Sequence, residues 1–91
     1  MRKELKAMKK TIYIFIDSNT NEPEVHMSVD SAVNSMVESL EYHAERWGYE
    51  KEELDAAIKE LKEDASVNSD YCFGTYLGEL SVNCYAREIE I

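Results

Sequence analysis

Two helical stripes separated by a single glycine dominate the middle of this chain and leave few folds open to it. A step of 100° per residue from Val29 gathers Val29, Ala32, Val33, Met36, Val37, Leu40, Ala44 and Trp47 into one arc of roughly 140°, the core-facing stripe of an amphipathic helix. Ser28 or Asp30 is placed to cap its N-terminus, and Gly48 stands where a left-handed residue would end it. Beyond the glycine, Leu54, Ala57, Ile58, Leu61 and Ala65 repeat the i, i+3, i+4, i+7 spacing. Glu50, Glu52 and Glu53 lie at the start of this second helix, where the backbone dipole favours anions. Each helix has one stripe to bury, so the pair needs a flat apolar layer beneath it.

The flanking segments supply that layer. Thr11 to Asp17 alternates as a strand, with Ile12, Ile14 and Ile16 on one face and Tyr13 and Phe15 on the other. Two apolar faces fit a central strand, or a sheet whose second face is covered by something else. Ser18 to Glu24 is dense in turn formers, and Val25 to Ser28 reads as a short second strand pairing back on the first. Ser66 to Asp70 reads as a loop, followed by a hairpin of Tyr71–Leu77 and Leu80–Ile91 around Gly78-Glu79. In the last strand Leu80, Val82, Cys84 and Ala86 are even-numbered and Tyr85, Ile89 and Ile91 odd, a switch of face that a bulge near Ala86 or Arg87 would produce. The expected fold is α+β: a small antiparallel sheet of three to four strands with two consecutive helices packed on one face, in the order β-β-α-α-β-β.

A chain of 91 residues supports one core, expected over 11–91 and preceded by a basic arm at 1–10 in which Met8 offers an alternative start. No apolar run approaches the roughly 18 residues of a membrane span, and no apolar segment of a signal peptide follows the basic start, so the expected location is the cytoplasm. Ten Lys and Arg face nineteen Asp and Glu, a net charge of −9. The first ten residues hold five of the basic side chains (Arg2, Lys3, Lys6, Lys9 and Lys10) and only Glu4 among the acids, which leaves 11–91 at −13. Such a field repels nucleic acid and acidic membranes and speeds encounter with basic proteins at low salt. Solubility accounts for part of it.

Chemistry-bearing residues are present but scattered. Asp17, Asn19 and Asn21 occupy positions 1, 3 and 5 of a calcium-loop pattern, yet Glu22 stands where that loop needs Gly and Ser28 where it needs a bidentate Glu, so an Asn-rich turn is the better reading. His43 falls about 40° from the centre of the first helix's stripe, and a histidine there is more often hydrogen-bonded at the edge of a core than catalytic. His26 belongs to the short strand, and no spacing joins it to His43 through a cysteine or carboxylate as metal ligands. Cys72 and Cys84 lie opposite each other if Tyr76 pairs with Leu80 and are displaced by one if Leu77 does; buried, reduced thiols are expected. Glu38, Glu41 and Glu45 share the outer face of the first helix, and Glu60, Glu63 and Asp64 are expected to face water from the second. No phosphate loop, nucleophile elbow or H-E-x-x-H is present, and no metal, cofactor or catalytic residue is expected.

The aromatic residues point to binding. Tyr42 lies about 140° off the stripe, among Glu38, Glu41 and Glu45, a plausible protein-binding anchor, and Tyr13 and Phe15 add a second candidate surface on the sheet. Aromatic sheet faces also stack nucleic-acid bases, but those surfaces are positively charged, so no direct nucleic-acid contact is expected. Alternatively, Tyr13, Phe15, Tyr76 and Tyr85 cover a second sheet face against the N-terminal arm or another copy of the chain. In size and charge the chain resembles small inhibitors of phages and mobile elements, such as anti-CRISPR and anti-restriction proteins. That likeness implies a non-enzymatic acidic protein that docks on a basic nucleic-acid-handling protein in place of phosphates. The alternatives are a structural or regulatory homodimer joined through its sheet and, last, a small enzyme, which a deep pocket with converging titratable groups would bring forward.

Overall fold

The computed structural model describes residues 9–90. Arg2, Lys3, Glu4, Lys6 and Met8 of the expected arm, and Ile91 of the expected last strand, lie outside them. The elements run β1 (Lys9–Asp17), β2 (Glu24–His26), α1 (Val29–Trp47), α2 (Lys51–Asn68), β3 (Cys72–Leu77) and β4 (Leu80–Glu90). They build a four-stranded antiparallel sheet of order β2-β1-β4-β3 with the helices on one face, the expected α+β architecture.

Local signals set most boundaries. Ser28, not Asp30, caps α1: its hydroxyl accepts the backbone N–H of Ser31 at 3.1 Å. Gly48 closes the helix in the left-handed region at φ 72°, its N–H returning to the Ala44 carbonyl. At the start of α2 the Glu53 carboxylate reaches back to accept the Glu50 backbone N–H at 3.1 Å, the return half of a capping box. The far end of α2 departs from the expected loop at Ser66–Asp70, because the helix runs on to Asn68. The polar side chains there bond within the helix, Ser66 Oγ to the Glu63 carbonyl at 2.8 Å and Asn68 Nδ2 to Asp64 Oδ1 at 2.7 Å.

β1 and β4 pair without interruption from Lys9 opposite Glu90 to Asp17 opposite Val82. The expected bulge near Ala86 or Arg87 is therefore absent from this pairing. Tyr85 and Ile89 do not rejoin the core face; they belong to the sheet's other side, opposite Ile14 and Lys10. In the terminal hairpin Leu77 pairs with Leu80, so Cys72 stands across from Tyr85 and Phe73 across from Cys84. The two cysteines consequently point to opposite faces, both as free thiols.

The inner face of the sheet and the helical stripes close one core. Met36, Leu40, Leu61, Leu80, Val82 and Cys84 are its fully buried side chains, joined by Phe15 and Phe73, with Tyr13 packed against the edge. Trp47 leaves the stripe and is 65 % exposed. It is the last residue of α1, and Tyr49, after the turn at Gly48, packs against the core instead.

Candidate functional site

Layering gives the molecule two unlike sides. The helical side, residues 29–68, holds eleven carboxylates against four basic side chains, a net −7. On its outer surface Glu38, Glu41 and Glu45 are exposed and Tyr42 is 59 % exposed among them, the arrangement the helical step predicts. The Tyr42 hydroxyl accepts a hydrogen bond from Arg46 at 3.3 Å, and the Arg46 guanidinium lies 5.9 Å from the centre of the Trp47 ring. Tyr42 and Trp47 thus form an aromatic pair bridged by the only cation of α1, in a field of carboxylates. Exposed Trp, Tyr and Arg are the residue types that anchor protein interfaces. Trp47 was hidden from the periodicity, which places it on the buried stripe.

Both sheet residues expected to bind lie on the helix-covered face. Phe15 is 3 % exposed and lies in the core, and Tyr13 packs against that core, so the helices cover the aromatic face of β1 and its isoleucine face is the outer one. The reason is register: Tyr13, Phe15 and Asp17 stand opposite Ala86, Cys84 and Val82, the side of β4 on which α1 rests. A docking role for Phe15 is excluded while the domain is folded.

That outer side differs chemically from the rest of the molecule. It is made of the even-numbered residues of β1 and β3, the odd-numbered residues of β4 and Val25 of β2. No carboxylate occupies any of these positions, in a chain with nineteen. Its charged groups are Lys10 and Arg87, and Arg87 lies over the Tyr85 ring at 5.6 Å. Val25 and Tyr76 are 58 % and 70 % exposed, and no element among the described residues packs over them. The signal was in the sequence, in the absence of Asp and Glu from alternate strand positions, but reading it required the register.

Of the α2 carboxylates expected to face water, Glu60 and Glu63 are exposed and Asp64 is half-buried. Glu60 accepts the Thr75 hydroxyl at 2.6 Å, and Asp64 accepts the Gly74 backbone N–H at 2.9 Å. α2 lies along β3, so its carboxylates close that edge of the sheet. Asp17, Asn19 and Asn21 form a turn: Asn19 N–H donates to Asp17 Oδ1 at 2.6 Å and Asn21 N–H to the Asp17 carbonyl at 2.7 Å. His26 bridges Glu24 and the Ser31 hydroxyl, at 2.7 Å each, fastening β2 to the start of α1.

His43 is 6 % exposed and stacks on Tyr49 with ring centres 5.5 Å apart, its Nδ1 lying 3.5 Å from Asn19 Nδ2. It lines a hollow of about 330 Å³ with Asn19, Trp47, Tyr49 and Glu79. A carboxylate does therefore share a cavity wall with His43, through the hairpin turn that carries Glu79. No hydrogen bond joins the two among the described residues, and no cysteine, serine or threonine lines the hollow. No cluster of three His, Cys, Asp or Glu capable of holding a metal occurs among the described residues, and no helix there is long and apolar enough to cross a membrane.

No family model, curated protein or solved structure matches the chain.

Proposed function

We propose that this chain is a non-enzymatic binding protein that docks its acidic helical side on a basic, cytoplasmic, nucleic-acid-handling protein, as an inhibitor from a phage or mobile element would, occupying a surface otherwise taken by phosphates. The observation that carries the reading is the exposed Tyr42–Arg46–Trp47 group set among Glu38, Glu41 and Glu45, on a helical layer of net charge −7. The carboxylates supply long-range attraction and orientation, and the aromatic pair supplies apolar area at the contact. Scattered surface acids serve solubility alone; an exposed tyrosine beside them, joined through Arg46 to an exposed tryptophan at the end of the helix, is an addition solubility does not need.

The test is capture of partner proteins from host extract on the immobilised chain, with the captured protein then titrated in purified form. Binding should weaken steeply between about 50 and 500 mM salt, be displaced by a competing polyanion, and fall at least about tenfold in Tyr42→Ala/Trp47→Ala, the loss of one strong interface anchor. A complex indifferent to salt and to both substitutions would sink the reading.

A further inference from the structure

We propose that the sheet's outer face binds a second copy of this chain, giving a face-to-face dimer with the two acidic helical layers turned outward. The proposal stands independently of the partner reading above. It begins from the charge distribution: a molecule of net charge −9 repels its own copies, yet none of the outward-facing strand positions among the described residues carries a carboxylate. On that side Ile12, Ile14 and Ile16 run down the central strand β1, flanked by Tyr85 and Val25. Lys10 stands toward the end of the β1–β4 ribbon where Lys9 meets Glu90, and Arg87, opposite Ile12, reaches over the Tyr85 ring, so both cations belong to that half of the face and the apolar run continues away from them through Ile14 and Ile16.

Geometry keeps the repulsion small. Two stacked sheets lie about 10 Å apart, and a helical layer outside each puts the acidic surfaces roughly 30 Å from one another, about three screening lengths at 0.1 M salt. Any contact through the helical side would instead bring carboxylates together. Area is adequate. Four strands spaced about 4.8 Å and nine residues of β1 at about 3.3 Å each give a face of order 500 Å² per copy, about 1,000 Å² in the pair, at the lower end for a specific association. The dimer should therefore be reversible. Nucleic acid fits this face less well, because two cations on an acidic molecule neutralise too few phosphates.

Sedimentation equilibrium of the full chain decides the matter. The weight-average mass should rise from 10.5 kDa toward twice that value between about 1 and 500 µM. The rise should be stronger at 500 mM salt than at about 50 mM, because screening removes the residual repulsion; capture of a basic partner changes in the opposite sense. Ile14→Glu and, separately, Val25→Glu should abolish the rise, whereas Glu41→Lys on the helical side should leave it in place. Val25 is 58 % exposed, so its substitution keeps the fold even where Ile14→Glu does not, as circular dichroism would report. Three results would each overturn the proposal: a mass of 10.5 kDa at every concentration, a dimer that survives Val25→Glu in folded protein, and a monomer that holds a single-stranded RNA oligomer on this face.

Discussion

Asp64 accepts the backbone N–H of Gly74 at 2.9 Å, so a helix side chain occupies a hydrogen-bonding position on the free edge of β3. Its other oxygen is held by Asn68 at 2.7 Å, which fixes the carboxylate in place. An unpaired strand edge invites pairing with another chain, and this contact closes it. Asp64→Ala should lower stability by about 1–2 kcal/mol, the loss of a charge-assisted hydrogen bond at a half-buried site. Urea denaturation should show the midpoint moving with an unchanged slope, and light scattering on heating should rise earlier than in the wild type.

Gly78 sits at φ 61° as the first residue of the Gly78-Glu79 turn, the position where a two-residue hairpin loop of type II′ needs glycine. A Cβ there would fall 1.6 Å from the Tyr49 hydroxyl, and Tyr49 is the residue stacked on His43. Gly48 is also left-handed, but a Cβ there meets nothing within 4 Å. Gly48→Ala should therefore lose only the conformational preference, about 1–2 kcal/mol, and Gly78→Ala more than that. A double-mutant cycle with Tyr49→Leu checks the cause: Tyr49→Leu should recover part of the Gly78→Ala loss, and additive effects would assign the loss to the turn alone.

These contacts show where sequence reasoning reaches and where it stops. Ser28, Gly48 and the stripe from Val29 to Ala44 were legible because caps and periodicity act over a few residues. Asp64 was misplaced, and the bond from Thr75 to Glu60 was missed, because a helical step says which residues share a face but not that β3 lies against that face. The bulge was expected because β4 was given one apolar face, although β1 was read with two. The sheet has two, and Tyr85 and Ile89 belong to the second. Of the candidate site, the acids and Tyr42 followed from angle alone. Trp47 did not, because the chain turns at Gly48 and Tyr49 takes the packing position.

The hairpin register separates the two thiols chemically. Cys84 is fully buried on the inner face, and that burial pushes its pKa up from 9.0 to about 11, whereas Cys72 is half-buried on the outer face. A maleimide at pH 8 should label Cys72 in the native protein and Cys84 only after unfolding, and mass spectrometry of the digested protein distinguishes them. Because the folded state holds the Cys84 proton more tightly than the unfolded state, its contribution to stability is complete below about pH 9 and is lost progressively as pH rises toward about 11. Comparing urea midpoints of wild type and Cys84→Ala across that window isolates the contribution of this thiol. A difference between the two proteins that stays constant with pH would refute the assignment.

Phe15 and Ile14 are adjacent on β1 and face opposite sides, so substituting each in turn reads out which side the helices cover. Phe15 is 3 % exposed and pairs with fully buried Cys84, and Phe15→Ala should cost about 3–5 kcal/mol from lost transfer energy and the cavity left behind. Ile14 lies on the outer face opposite Tyr85, where side chains remain partly solvated, and Ile14→Ala at low micromolar concentration should cost about 1 kcal/mol. Denaturant titrations of both variants at about 2 µM test the order, the concentration being chosen to disfavour self-association. The reverse order would place the helices on the isoleucine face and exchange the inner and outer surfaces throughout. If the Ile14→Ala loss instead grows as the concentration is raised, part of its burial is supplied by a second copy of the chain.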